Sequence, residues 1–291
     1  MTQATLLFGV GATKAGTSWL HAYLAGHAQC HLRTIKELHF FDTLEEGRLE
    51  QARAALDTTR ARTAMRPASP DPARVASRAR GLADMDDWSH VLACGDEAAY
   101  LDYLDQGRGE ARLIADITPA YSTLPVGRFE RMAAMASDVR FVYLMRDPVE
   151  RLWSHVRMIA RRRAASGAPV GVRAGRLLAR ALRGREPQIT QRGDYRTVLE
   201  RLWAAVDPSR LFLAFYEELF SQEAIARLCR FLGIAPMAAD LSARVHAGVP
   251  VRMSAEQRRA AARFLAPQYD FVAERLGRVP PAWAAHRGGL T

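Results

Sequence analysis

Leu6-Leu7-Phe8-Gly9-Val10-Gly11-Ala12-Thr13-Lys14-Ala15-Gly16-Thr17-Ser18-Trp19-Leu20 reads as a strand, a glycine-rich turn and the start of a helix. The apolar run Leu6–Val10 suits a buried strand, and Trp19, Leu20, Tyr23 and Leu24 then recur at helical spacing. Such a turn aims several backbone N–H groups at one point, and the positive end of the following helix adds to their field. A phosphate or sulfate is its natural guest. The glycines let the backbone approach closely, and Thr17 and Ser18 add hydroxyl donors in the first helical turn. A Walker A loop would need lysine directly after the second glycine. Thr17 stands there and Lys14 comes three residues earlier, which disfavours ATP with magnesium on the Ser/Thr. The plainer alternative is a turn that only packs helix on strand, and the meeting of Gly, Lys, Thr and Ser at a strand end weighs against it.

Lysine is scarce: of 41 basic side chains only Lys14 and Lys36 are lysine, and both lie in this region. Elsewhere arginine carries the charge. A compact ammonium on a flexible stem differs in function from a planar guanidinium fork, so residues 9–42 draw the first attention.

A second segment has similar logic. Val139-Arg140-Phe141-Val142-Tyr143-Leu144-Met145 is a β-rich run ending at Arg146, and Asp147-Pro148 supplies an N-cap and a first-turn proline. The helix that follows carries Val149, Leu152, Trp153, Val156 and Ile159 on its buried stripe, with Arg151, Ser154, Arg157 and Arg161 on another face. Arg146 and Ser154 could close on one phosphate, the fork bidentate and the hydroxyl donating. A capped surface helix with solvated arginines is the plainer reading.

Lys14-Ala15-Gly16-Thr17-Ser18-Trp19-Leu20 closely resembles the phosphosulfate-binding loop of sulfotransferases that use 3′-phosphoadenosine 5′-phosphosulfate (PAPS). Lys36-Glu37-Leu38-His39-Phe40-Phe41-Asp42 resembles the Glu-x-His-Phe-Phe-Asp segment of the heparan-sulfate and related bacterial branch, and Val139 to Arg157 resembles the family's 3′-phosphate site. The resemblance implies a PAPS-dependent sulfotransferase acting on a hydroxyl or amine, with no metal required. It implies that Lys14, Ala15, Gly16, Thr17, Ser18 and Trp19 bind the donor, with Arg146 and Ser154 on the 3′-phosphate. Tyr195, in Arg192-Gly193-Asp194-Tyr195, becomes a candidate adenine or sulfate neighbour. Lys14 is expected to stabilise charge on the bridging oxygen and leaving 5′-phosphate. Glu37 is the first choice of general base, sound if burial raises its pKa. His39 is the rival, since histidine titrates near neutrality, and it could equally be a satisfied core residue beside Phe40 and Phe41. Two departures stand out. Ile117 replaces the lysine that heparan-type enzymes carry before Thr118-Pro119-Ala120-Tyr121, so their acceptor contacts do not transfer. The C-terminal Arg-Lys-Gly motif has at best a loose substitute at Arg244 to Gly248.

The resemblance runs thinly from Leu6 to Gly277 and takes in Phe231-Leu232-Gly233-Ile234. Further strands are predicted at Arg112–Ala115 and Leu211–Tyr216, alternating with helices. That pattern predicts an α/β fold with a mostly parallel sheet covered on both faces, and the resemblance implies a three-layer fold like the P-loop nucleotide kinases. At 291 residues and 49% apolar, residues 1–291 fit one large domain. Residues 43–110 carry no strand signal and read as a helical cap over the acceptor site. Residues 161–187 hold eight arginines and read as a flexible stretch around Ser166-Gly167 followed by a basic amphipathic helix. That helix could touch an acidic acceptor or an anionic membrane surface, or simply be solvated.

Neither a leader nor a membrane span is indicated, and Cys30, Cys94 and Cys229 form neither a disulfide framework nor a zinc pattern. A reducing cytoplasm is the expected home. The formal net charge of +10 suits a polyanionic ligand. The acceptor is expected to be a small molecule, glycan or lipid. Two alternatives remain: a P-loop nucleotide kinase, against which the misplaced lysine speaks, and a non-catalytic anion- or nucleic-acid-binding protein. Nucleic acid is not expected as a partner, because no aromatics interleave with the arginine run as stacking would require.

Overall fold

The computed structural model describes residues 4–67, 69–163, 169–239 and 251–287. In chain order the elements are β1 (Thr5–Gly11), α1 (Thr17–Ala25), β2 (Cys30–His31), α2 (Phe40–Glu45), α3 (Leu49–Ala64), α4 (Pro72–Cys94), α5 (Glu97–Asp105), β3 (Leu113–Asp116), α6 (Val126–Ala133) and β4 (Val139–Met145). There follow α7 (Pro148–Arg162), α8 (Val170–Ala181), α9 (Pro187–Thr190), α10 (Tyr195–Ala205), β5 (Leu211–Phe215), α11 (Tyr216–Leu219), α12 (Gln222–Leu232), α13 (Ala255–Leu276) and α14 (Pro281–Arg287).

The five strands form one sheet in the order β2-β3-β1-β4-β5, and every pairing is parallel. Because a parallel sheet is covered on both faces, its strands must be apolar along their whole length. Leu6, Leu7, Phe8 and Val10 of β1 and Phe141 through Met145 of β4 are fully buried. The chain turns to one side of β1 for β2 and β3 and to the other for β4 and β5. The reversal therefore falls at the carboxyl end of β1, where open α/β sheets bind their ligands.

The expected strands are all present. The two-residue edge strand β2 is an addition, too short for any periodicity to announce. In α7 the Asp147 carboxylate accepts from the Glu150 amide and Pro148 opens the helix, as expected, and Val149, Leu152, Trp153 and Val156 face the core. Arg151 departs from the exposed-face reading: it is fully buried. The guanidinium fits only because residue 193 is glycine, since a Cβ there would collide with it.

The described part of residues 43–110 holds four helices, α2 to α5, joined by turns, and no strand. α5 docks through Tyr100, Tyr103 and Leu104, whereas α3 carries no buried side chain at all. The basic helix α8 packs on α7 through Ala174, Leu177, Leu178 and Ala181. Buried Glu186 takes up Arg163 and Arg180, so part of the basic run is paired. Ser166-Gly167 and Arg244 to Gly248 lie outside the described residues. None of the described helices is long and apolar enough to cross a membrane.

Candidate functional site

The loop after β1 is seated by its backbone: the Ala12 amide donates to the Leu144 carbonyl (2.7 Å) and the Ala15 amide to the Ala12 carbonyl (3.1 Å). Gly16 caps α1 with φ 101 and offers no side-chain cap. The first-turn amides of Thr17 and Ser18 therefore keep their donors for a ligand. Gly16 has a second reason to be glycine, since a Cβ would sit 2.9 Å from the Tyr216 ring. Ala15 and Thr17 are buried, while Trp19 stacks on Tyr23 (5.4 Å between centroids) and meets Phe220 edge-on. The Trp19 side chain thus anchors the loop from below.

Among the described residues, three that are not glycine have positive φ: Lys14 (73), Glu37 (60) and His39 (56). Each such conformation costs about 1–3 kcal/mol and persists where the surroundings over-determine it, commonly at ligand and catalytic sites. They are the three residues expected to do chemistry. Lys36 joins the two segments, its ammonium donating to Ser18 Oγ (2.6 Å) and lying 3.4 Å from Glu37 Oε1. The Lys14 pKa is held below the usual lysine value by burial first and then by Arg146 and Arg162, with Glu37 pulling the other way. Its ammonium therefore lies within the field of both the arginines and the Glu37 carboxylate.

His39 Nδ1 is 2.8 Å from Asp42 Oδ2 and His39 Nε2 is 3.9 Å from Glu37 Oε2. Burial works against its charge, but the Asp42 hydrogen bond and the charges of Asp42 and Glu37 outweigh it and raise its pKa above the ordinary histidine value. The core-residue reading fits only in part, since 41% of the side chain is exposed.

Asp116, at the carboxyl end of β3, fixes this arm and was not foreseen from the sequence. Fully enclosed, it accepts from Tyr100 (2.8 Å), Tyr121 (2.7 Å) and Thr118 (2.6 Å). Burial lifts its pKa while those three hydroxyls oppose the rise. The Tyr121 hydroxyl also accepts from the Phe40 amide (3.0 Å), next to His39. Tyr121 belongs to the Thr-Pro-Ala-Tyr stretch, which was the one available signal.

On the other side of β1, Arg146 follows β4 directly. Its amide donates to the Tyr195 hydroxyl (3.1 Å), which in turn donates to the Arg146 carbonyl (2.5 Å). Tyr195 is fully buried and reaches the site through Arg146. The Arg146 guanidinium lies 4.8 Å over the Tyr216 ring, 3.4 Å from the Lys14 carbonyl and 3.9 Å from Glu150. Tyr216 thus touches both the loop and the arginine, a link that reading it as a strand end missed. Ser154 is half-buried in the second turn of α7.

Beneath the loop the charge is one-sided. Among the described residues, Arg151 makes long hydrogen bonds to the carbonyls of Thr13 (3.5 Å) and Ile189 (3.4 Å). Its neighbour His155 has its pKa pushed down to about 2 by burial and by Arg151, Arg192, Lys14 and Arg162. Among the described residues, Thr13 Oγ1, Arg151 Nε and His155 Nδ1 are buried without a hydrogen-bond partner. Buried cations and donors left unmatched are costly, and a ligand carrying several negative charges bound above them would offset the field of these cations. The residues fit a polyanion such as PAPS. Among the described residues no three His, Cys, Asp or Glu side chains stand close enough to hold a metal ion.

Comparison with known proteins agrees with this geometry. The model of the sulfotransferase family matches residues 7–238. The crystal structure of a sulfotransferase from Alicyclobacillus acidocaldarius superposes with a TM-score of 0.64 at 20% identity, covering 97% of this chain and 99% of the other. The sulfotransferase domain from the curacin biosynthetic pathway superposes with a TM-score of 0.51 at 16% identity, covering 97% and 100%. At these identities the likeness concerns the fold. A search of curated proteins finds no match.

Proposed function

This chain belongs to the sulfotransferase family, and from that membership we propose that it transfers a sulfuryl group from PAPS to a hydroxyl or amine of an acceptor. The supporting observation is the position of Lys14, held in a left-handed conformation within the fields of a cation cluster and the Glu37 carboxylate. Donor charge belongs on the cationic side, and the nucleophile belongs beside the carboxylate.

The amides of Thr17 and Ser18 and the Lys14 ammonium bind the phosphosulfate, while Arg146 and Ser154 bind the 3′-phosphate. Tyr195 and Tyr216 hold Arg146 in place. Glu37 removes the acceptor proton as the acceptor oxygen or nitrogen closes on sulfur in line. Lys14 stabilises the charge that builds on the departing 5′-phosphate oxygen. His39, already drawn toward its charged form by Asp42, suits orienting Glu37 better than accepting a proton. Three free thiols, Cys30, Cys94 and Cys229, fit a reducing cytoplasm.

Calorimetry with 3′-phosphoadenosine 5′-phosphate (PAP) and with AMP tests the donor site. PAP should bind much more tightly. Charge-assisted hydrogen bonds contribute roughly 1.5–3 kcal/mol each, so Arg146→Ala should weaken PAP by at least about tenfold and leave AMP nearly unchanged. Equal affinity for the two nucleotides in the wild type would overturn the donor assignment.

A further inference from the structure

The helical hairpin of α3 and α4 stands over a cavity of about 550 Å³, a volume that suits a drug-sized ligand. α3 buries no side chain, yet it turns Ala52, Ala55 and Leu56 toward this space. The facing walls include Met85, Trp88 and Leu92 from α4. Glu37 and His39 belong to the same lining. The candidate base, with 35% of its side chain exposed, therefore lies at the edge of an open, largely apolar groove.

None of the 14 lining residues is lysine or arginine, although the chain carries 41 of these. A uronate or sulfate group on an acceptor would call for such partners. The nearest lysine, Lys36, is already engaged by Glu37 (3.4 Å) and Ser18 (2.6 Å), so a further anion beside Glu37 would have to compete for it. The polar lining besides Glu37 and His39 consists of Thr34, Thr59 and Ser77, too little to satisfy the many hydroxyls of a glycan. Apolar surface there is matched only by apolar surface.

We propose that the acceptor is an uncharged alcohol with a mainly hydrocarbon body, seated under the α3–α4 hairpin with its hydroxyl at Glu37. This rests on the sulfotransferase reading above. The acceptor oxygen forms a bond to sulfur as the bond from sulfur to the 5′-phosphate oxygen of PAPS breaks. The hydroxyl proton passes to the Glu37 carboxylate and then to water. The products are an alkyl sulfate ester and PAP.

Equilibrium dialysis with radiolabelled 1-decanol, with and without PAP, tests the chamber apart from the chemistry. Saturable binding at one site is expected. Leu56→Arg, which places a charge in the lining, should weaken decanol by at least about tenfold. Ala55→Trp, which fills the space from an exposed position on α3, should do the same. PAP affinity by calorimetry should be unchanged in both variants. With labelled PAPS, decanol should be sulfated faster than a glucuronate-containing disaccharide. A protein that binds PAP but shows no saturable decanol site overturns the inference and leaves the sulfotransferase reading standing. So does decanol affinity that neither variant alters, or preferential sulfation of the disaccharide. Failure to bind PAP, with decanol bound, would instead overturn the donor assignment.

Discussion

The two halves of the site are built in opposite ways. On the donor side, the loop after β1 and the start of α7 follow buried strands, and Arg151, Arg192, Lys14 and Arg162 crowd around His155 beneath them. On the acceptor side, α3 has no fully buried side chain and only half-buried Leu49, Ala52 and Leu56 touch the core, while α4 docks through Trp88, Val91 and Leu92 and leaves an open groove between the two helices. The donor has a fixed, highly charged shape, so its side can be rigid and electrostatically specific. The acceptor side is made of exposed helix whose residues can change with little effect on the core. Chemistry and specificity thus sit on elements of different stability, a division common where functional loops are carried by a firm scaffold.

The largest effects should come where the halves meet. Glu37→Gln should lower turnover by roughly 10²–10⁴-fold while leaving PAP affinity intact, because it removes the base and not the donor site. Lys14→Ala should lose roughly 10²–10³-fold in turnover and also weaken PAP, since the ammonium serves both the bound donor and the developing charge. Lys14→Arg should not restore full activity, because a planar fork does not replace an ammonium in a tight left-handed turn. Steady-state kinetics with calorimetry on each variant reads all three. Near-normal turnover for Glu37→Gln beside a collapsed His39→Asn, with circular dichroism unchanged, would move the base role to His39.

The same division explains what could be read from sequence. β1, β4 and the capped start of α7 were legible because a continuous apolar strand and an Asp-Pro helix start are local signals. Arg151 was not, because helical spacing cannot reveal that Gly193, distant in sequence, leaves room for its guanidinium. Asp116 looked like any strand-end carboxylate until Tyr100, Thr118 and Tyr121 converged on it. The missing strand signal over 43–110 pointed to a helical cap, but not to which of its residues line the groove, since alanine-rich, polar α3 reads as a solvated helix whether it covers a core or a cavity.

Stability should show the contrast next. Leu144 in β4 is fully buried, and Leu144→Ala should cost roughly 2–5 kcal/mol. Leu56→Ala on α3, which truncates a half-buried side chain at the edge of the core, should cost only about 1 kcal/mol. Urea unfolding of the two variants measures this. A large loss at Leu56 would mean that the hairpin belongs to the core and that the contrast between the halves fails.

The last contrast concerns two histidines whose pKa values are shifted in opposite senses. His155, on the donor side, has its pKa lowered to about 2 by burial and the surrounding cations. Between that value and 6.5 the unfolded chain binds a proton that the native protein refuses, so stability should fall as pH drops below about 6.5. This group alone should contribute roughly 1.4 kcal/mol per pH unit at most. His39, on the acceptor side, has a raised pKa despite its burial, because Asp42 and Glu37 favour the charged ring. Its contribution should be fully present below the ordinary histidine value and lost as pH rises through its own. His155→Gln should therefore flatten the acid limb of a stability–pH profile, and His39→Asn should flatten the loss of stability above the ordinary histidine value. If either variant left its limb as steep as in the wild type, or if the two exchanged limbs, the opposed electrostatics assigned to the donor and acceptor sides would be wrong.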